Sequence, residues 1–418
     1  MHHFDYVNGE MYCEQVPVRR IADAVGTPFY LYSHATLKRH FLAVRDAFPE
    51  TDKLVCYSAK ANTSFALLKL FADLGGGLDI VSGGELYRGL KAGFAPQHIV
   101  YSGVGKRPDE INAALETGIL QFNVESLQEL ETVNRCAGQL NKNAPVAIRV
   151  NPDVDPHTHP YISTGMKKNK FGISAAEALA TYRHAAQLAH VEVVGIDCHI
   201  GSQITEVGPF KDALASLMEL IGRLQQDGIA IRNLDIGGGL GITYGRETPP
   251  APGEYAAAIM AAVADSGLRL ILEPGRVIVG NAGVLVSRVL YRKRTPEKQF
   301  VITDAGMNDL LRPSLYHAYH EIKPVVVDQR PLIVADVVGP ICESSDFLAT
   351  ERELPDFSPG ELLAVMSAGA YGFAMSSNYC SRVRAAEVMV KGGDFGVIRR
   401  RETYADLTAL EQLPDFMA

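Results

Sequence analysis

Five short stretches of the sequence carry residue types able to do covalent and acid–base chemistry. LVCYSAKAN (54–62) places Lys60 just past a strand-like run, where an amine is either a solvated loop charge or a nucleophile on a rigid element. LDIVSGGE (78–85) adds Asp79 and Glu85, and HIGSQ (199–203) adds His199 and Ser202. DIGGGLG (235–241) supplies Gly237, Gly238 and Gly239, and EPGR (273–276) supplies Glu273, Pro274, Gly275 and Arg276. Each has a bland reading on its own: a solvated Lys60, a hydrogen-bonded core His199, a Glu273 paired with a local arginine. Glycine runs let backbone N–H groups approach an anion and bind phosphate, though the same residues also suit a tight strand-to-helix turn. The chain lacks G-x-x-x-x-G-K-[ST] and a strand-linked G-x-G-x-x-G, which argues against nucleotide triphosphates and dinucleotides.

The elements that must position these groups are written in the hydrophobic pattern. Strand candidates lie at 54–58, 78–81, 99–102, 120–124, 146–150, 193–200, 233–236 and 269–273. Between them run segments such as SFALLKLFADLG (64–75) and PFKDALASLMELIGRLQQDG (209–228), with apolar residues at helical spacing. Eight βα units over about 220 residues spell a (β/α)8 barrel, with a doubly wound open sheet as the main rival. Catalytic groups of such a barrel sit past the C-terminal strand ends, and the loops after strands seven and eight are its usual phosphate site. A lysine facing that site points to pyridoxal 5′-phosphate held through the Lys60 amine. Glu273 is then placed to pair with the pyridine nitrogen, and His199 to pack on the ring face.

After Glu273 the helical spacing fades into runs such as VLVSRVLYRKR, QFVITDAG and AAEVMVKG between turn residues, which predicts a second, all-β, β-barrel-like domain. The predicted division is a barrel over 30–275 and a β domain built from 1–29 and 276–418. FYLYS (29–33) is a candidate additional strand of that β domain. Net charge is −8 with acidic and basic residues interleaved, so neither nucleic acid nor an anionic membrane is an expected partner. No apolar run approaches the roughly 18 residues of a membrane span, and the N-terminus lacks the pattern of a signal peptide, so a cytoplasmic location is expected. The six cysteines are scattered without C-x-x-C spacing, as for reduced thiols.

YSAKAN, HIGSQ, LDIGGGLG, EPGR and GPICESSD (339–346) together resemble the fold-type III pyridoxal-phosphate-dependent decarboxylases, and among them the diaminopimelate decarboxylase family. The resemblance runs from FDYVNGEMYCEQV (4–16) and GTPFYLYS (26–33) to GAYGFAMSSNY (369–379). It implies a homodimer with shared active sites and conversion of meso-2,6-diaminopimelate to L-lysine and CO2, the last step of lysine biosynthesis. It further implies that Cys342 reaches the partner subunit's site and protonates Cα, and that Tyr371 contacts cofactor and substrate. The distal end of the substrate carries a carboxylate and an ammonium. Arg312 and Tyr316 of LLRPSLYHAYH (310–320) suit the first and Glu343 the second, while Arg276 can serve the phosphate, a substrate carboxylate or both. Alternatives are a decarboxylase for carboxynorspermidine or arginine, an amino-acid racemase, and a non-catalytic cofactor-binding barrel. The β region with its CESSD and RPSLY motifs argues against the last of these. The loop 151–174 is a candidate lid; its His157 and His159 lack further ligands, so no metal is expected.

Overall fold

The computed structural model describes residues 2–154, 170–264 and 266–417. His157, His159 and most of the candidate lid lie outside the described residues. The chain forms two compact units, Lys38–Ile278 and Met1–Leu37 with Val279–Ala418. The division thus falls after Leu37 and Ile278 rather than after residues 29 and 275. The reason is Phe29–Ser33, a strand paired antiparallel with Gly283–Val286 and parallel with Ala386–Val390.

The first unit is built on eight parallel strands: β1 Lys53–Ser58, β2 Gly77–Ile80, β3 Ile99–Tyr101, β4 Gln121–Val124, β5 Ala144–Asn151, β6 Val191–Asp197, β7 Asn233–Asp235 and β8 Arg269–Leu272. Each pairs with the next, and β8 pairs with β1 through Leu270↔Lys53 and its two following partners, which closes the ring. The pairing between β4 and β5 is equally continuous, so the open-sheet alternative is excluded. The strands read as mostly apolar runs because helices cover one face and the barrel interior the other, with buried polar residues such as Asp79, Asn123, Arg149, Asp197 and Asp235 among them. Leu54, Cys56, Val100 and Ile271 fill part of that interior, while Tyr57, on the opposite face of β1, lies 4.4 Å from the Phe71 ring of the helix Phe65–Asp73.

The second unit is mostly β. Its sheet runs in the order 347–355, 332–338, 299–303, 283–294, 29–33, 386–391, 394–399, with a further strand, 362–365, on 283–294. A three-stranded sheet over residues 4–17 and the helix Val18–Val25 cover it: Phe4, Met11, Val16, Val18 and Ile21 pack with Phe29, Leu31, Val284, Val286 and Val388 in one buried cluster.

Candidate active site

Lys60 stands on a single 3-10 turn, Ala59–Ala61, directly after β1. Its Nζ lies 2.6 Å from Oδ2 of Asp79, which is fully buried on β2. The register of the two strands pairs Ser58 with Asp79, and the Ser58 hydroxyl donates to the same oxygen. The other oxygen, Oδ1, is buried without a hydrogen-bond partner. Glu85, by contrast, serves its own helix: its backbone N–H donates to the Ser82 hydroxyl and its carboxylate accepts from Val81 N–H at 2.7 Å. Burial pushes that carboxyl up to about 7.

Across the barrel, register sets a row of charged partners: Arg149 on β5 opposite Asp197 on β6, and Asp197 opposite Asp235 on β7. Asp197, Asp235 and Glu273 each bring a carboxylate oxygen within 4.8 Å of the others, all buried. Glu273 Oε1 accepts from the Ser102 hydroxyl at 3.1 Å and from Asn123 Nδ2 at 3.3 Å, and the same amide donates to Asp235 at 3.0 Å. Burial first, then the Asp235 charge, raises the Glu273 carboxyl well above the usual range, and Lys60 opposes the shift. A cationic neighbour would draw the Glu273 carboxyl back down, as Lys60 does. Arg149 is the counter-charge, 2.7 Å from Glu125 and 3.9 Å from Asp197.

His199 follows β6. Its Nδ1 accepts the Gly238 N–H at 3.2 Å, which places the ring proton on Nε2. Burial, Arg149 and Lys60 in that order hold its pKa well below the ordinary value, so the ring is neutral. Glycine is required around it: a Cβ on Gly238 would come 2.2 Å from the Glu273 carbonyl, and one on Gly239, at φ +111°, 2.5 Å from the Gly201 carbonyl. Gly275 likewise lies against the Cβ atoms of Ser58 and Ala61, and Ser58 N–H donates to the Pro274 carbonyl at 3.1 Å, so EPGR, GGG and the lysine turn are closely packed. Buried Arg276 donates to the Ser202 hydroxyl at 2.9 Å and to the Tyr244 hydroxyl at 2.6 Å. Lys60, Asp79, His199, Ser202, Gly237–Gly239 and Glu273–Arg276 thus all belong to the C-terminal strand ends of the barrel unit.

The other candidates lie in the β unit. Cys342 is an exposed free thiol. Beside it, Glu343 accepts from the Tyr379 hydroxyl at 2.8 Å and from the Ser345 hydroxyl, and these bonds, Ser345 first, hold its carboxyl below the usual range. The turn is anchored by buried Asp346, which accepts from Met307 N–H and Ile341 N–H, each at 2.6 Å. Arg312 is buried, Tyr316 is half-buried, and Tyr371 holds the left-handed backbone at φ +56°. Sequence reasoning missed Arg149, Glu125, Asn123, Asp197, Asp235 and Tyr244. The signal for Arg149, Asp197 and Asp235 was present: a charge inside an otherwise apolar strand buried on both faces must have a partner. Tyr244, on an irregular segment, had none.

Residues 34–280 match the family described as pyridoxal-dependent decarboxylase, pyridoxal binding domain. A diaminopimelate decarboxylase of Aquifex aeolicus (strain VF5) is 52% identical over 403 residues, covering 96% of each chain. One from Pseudomonas aeruginosa is 52% identical over 98% of this chain and 99% of its own. The crystal structure of diaminopimelate decarboxylase from M. jannaschii in co-complex with L-lysine superposes with a TM-score of 0.95 at 38% identity, over the full length of both chains.

Proposed function

The chain belongs to the pyridoxal-dependent decarboxylases, within them to the diaminopimelate decarboxylase family, and from that premise we infer that it converts meso-2,6-diaminopimelate to L-lysine and CO2 in lysine biosynthesis. The observation that carries the chemistry is the Lys60 amine, fixed at 2.6 Å on a buried carboxylate at the barrel's C-terminal end. The surrounding residues suit pyridoxal phosphate. The glycine cradle leaves no room for a Cβ, and a guanidinium with two hydroxyl partners stands beside it. Lys60 would hold the cofactor through its amine; Gly237–Gly239, Gly275, Ser202 and Arg276 would hold its phosphate; Glu273 would meet the ring nitrogen and neutral His199 the ring face. When bound, the cofactor supplies an electron sink for the pair left by the departing carboxylate.

The chain's own groups do the rest. Asp79 keeps the Lys60 amine in place, and Ser102 and Asn123 aim Glu273. The Cys342 thiol returns a proton to the Cα from which CO2 has left. Arg312 and Tyr316 take the distal carboxylate, Glu343 the distal ammonium, and Tyr371 contacts both cofactor and substrate. We place Cys342 in the partner subunit's site, which makes a homodimer the active form, and we place that homodimer in the cytoplasm; among the described residues no helix is long and apolar enough to cross a membrane. Incubation of purified protein with meso-diaminopimelate, ornithine, arginine, lysine and carboxynorspermidine, with CO2 followed, tests the substrate. Release is expected from the first alone, and release only from another would refute this reading.

A further inference from the structure

The Arg312 guanidinium has a neighbour whose chemistry constrains it. Arg312 Nη1 lies 2.8 Å from Nε2 of His320, and Nδ1 of the same ring lies 2.8 Å from the Met366 carbonyl. A guanidinium has only N–H donors, so Nε2 must accept; a carbonyl can only accept, so Nδ1 must carry the proton. One tautomer of a neutral imidazole satisfies both partners, and an imidazolium would set N–H against N–H. Both side chains are buried, Arg312 at 6% exposure and His320 at 0%. The ring's own backbone is tied down: Arg352 donates to the His320 carbonyl at 2.9 Å, and Met366 N–H donates to the Glu321 carbonyl at 2.8 Å. Arg312, in turn, begins a helix of only five residues, Arg312–Tyr316, with no side-chain cap. A side chain this long on so short an element needs an external acceptor to hold one rotamer.

We propose that His320 is a positioning residue for substrate choice: as a neutral acceptor with its proton on Nδ1, it aims Arg312 and so sets the preference for ligands bearing a distal carboxylate. The inference rests on the reading that Arg312 receives that carboxylate. Its test compares L-lysine with cadaverine, which differ by this one group, as ligands of the holoenzyme measured by calorimetry. His320→Leu lowers the lysine-over-cadaverine preference by about tenfold or more, the loss expected for a misaimed charged hydrogen bond, with cadaverine affinity within about twofold of wild type. His320→Gln keeps an acceptor and holds the preference to within about threefold. Arg312→Ala abolishes it. A preference that survives Arg312→Ala would refute the role of Arg312 itself. Loss in Arg312→Ala with full retention in His320→Leu, or equal weakening of both ligands in His320→Leu, would overturn the role of His320 alone. Should His320→Leu not fold, 15N-histidine spectra of the wild-type holoenzyme decide: the signal absent from His320→Gln must report the Nδ1–H tautomer, and an Nε2–H signal ends the proposal.

Discussion

At the barrel end, strand register decides which groups meet; in the β unit, side-chain hydrogen bonds across turns do. Arg149, Asp197 and Asp235 face one another because β5, β6 and β7 are in register. Cys342 and Glu343 sit on an exposed turn whose shape depends on Asp346, Ser345 and Tyr379. The first arrangement yields deeply buried, strongly shifted carboxyl groups held by the whole sheet. The second leaves a thiol and a carboxylate near solvent, answerable to single hydrogen bonds. Barrel-end changes should therefore be read in cofactor retention and stability, and β-unit changes in turnover with the cofactor still bound.

The largest expected effect is that of Lys60→Ala, which removes the amine: the visible absorbance of bound cofactor disappears and turnover falls by about 10⁴-fold or more. A retained band would assign the cofactor to another lysine. Cys342→Ala sharpens the contrast from the other side. The band stays while turnover drops by roughly 10²–10⁴-fold, the usual worth of a positioned acid; near-normal turnover would remove Cys342 as proton donor. Asp235→Asn probes the register-set carboxyl groups. Burial pushes Asp235 up to about 6, against about 3.9 for an unfolded aspartate. The folded state thus holds more protons between these values, so this group's contribution is fully present below pH ~4 and is lost as pH rises through about 6. In cofactor-free protein the stability of Asp235→Asn relative to wild type should therefore be greater at pH 8 than at pH 4, by on the order of 3 kcal/mol. A difference independent of pH would show that Asp235 is not held up by its site. The smallest effect is that of Tyr379→Phe, which deletes one strut of Glu343: kcat/KM falls a few-fold, about the worth of one exposed hydrogen bond, with the thermal midpoint unchanged. A large fall in the midpoint would mean that this turn is held as firmly as the barrel end.

All eight barrel strands were legible in the sequence because a strand buried on both faces is a short, mostly apolar run whatever its neighbours. Their ends were less so: the run at 193–200 stops being strand at Asp197, which puts His199 beyond the ladder, where its ring accepts the Gly238 N–H. The glycines and Lys60 were legible as types with few uses at a strand end. Arg149 and Asp197 were legible as strand charges that need partners, but which partners was not, because which strand positions oppose each other is a property of the closed barrel and not of any local window. The same limit misplaced residues 30–33: FYLYS is plainly a strand, but its partners lie hundreds of residues away. His320 carries no local signal within LLRPSLYHAYH, since only the folded chain brings the Met366 carbonyl to its ring.

The position of Phe29–Ser33 in its sheet has a consequence for how the protein is made. This strand is wholly buried and uncharged, yet about 250 residues separate Ser33 from Gly283, where the strand that flanks it begins. At the ~5–20 residues per second of synthesis, it spends about ten to fifty seconds outside the ribosome before that partner exists. Throughout this interval the nascent chain carries an unpaired, aromatic β edge ahead of a growing barrel, the kind of segment that pairs with another copy when its own partner is missing. Slowing translation should then lower the soluble yield of the chain without any change in the stability of the finished fold.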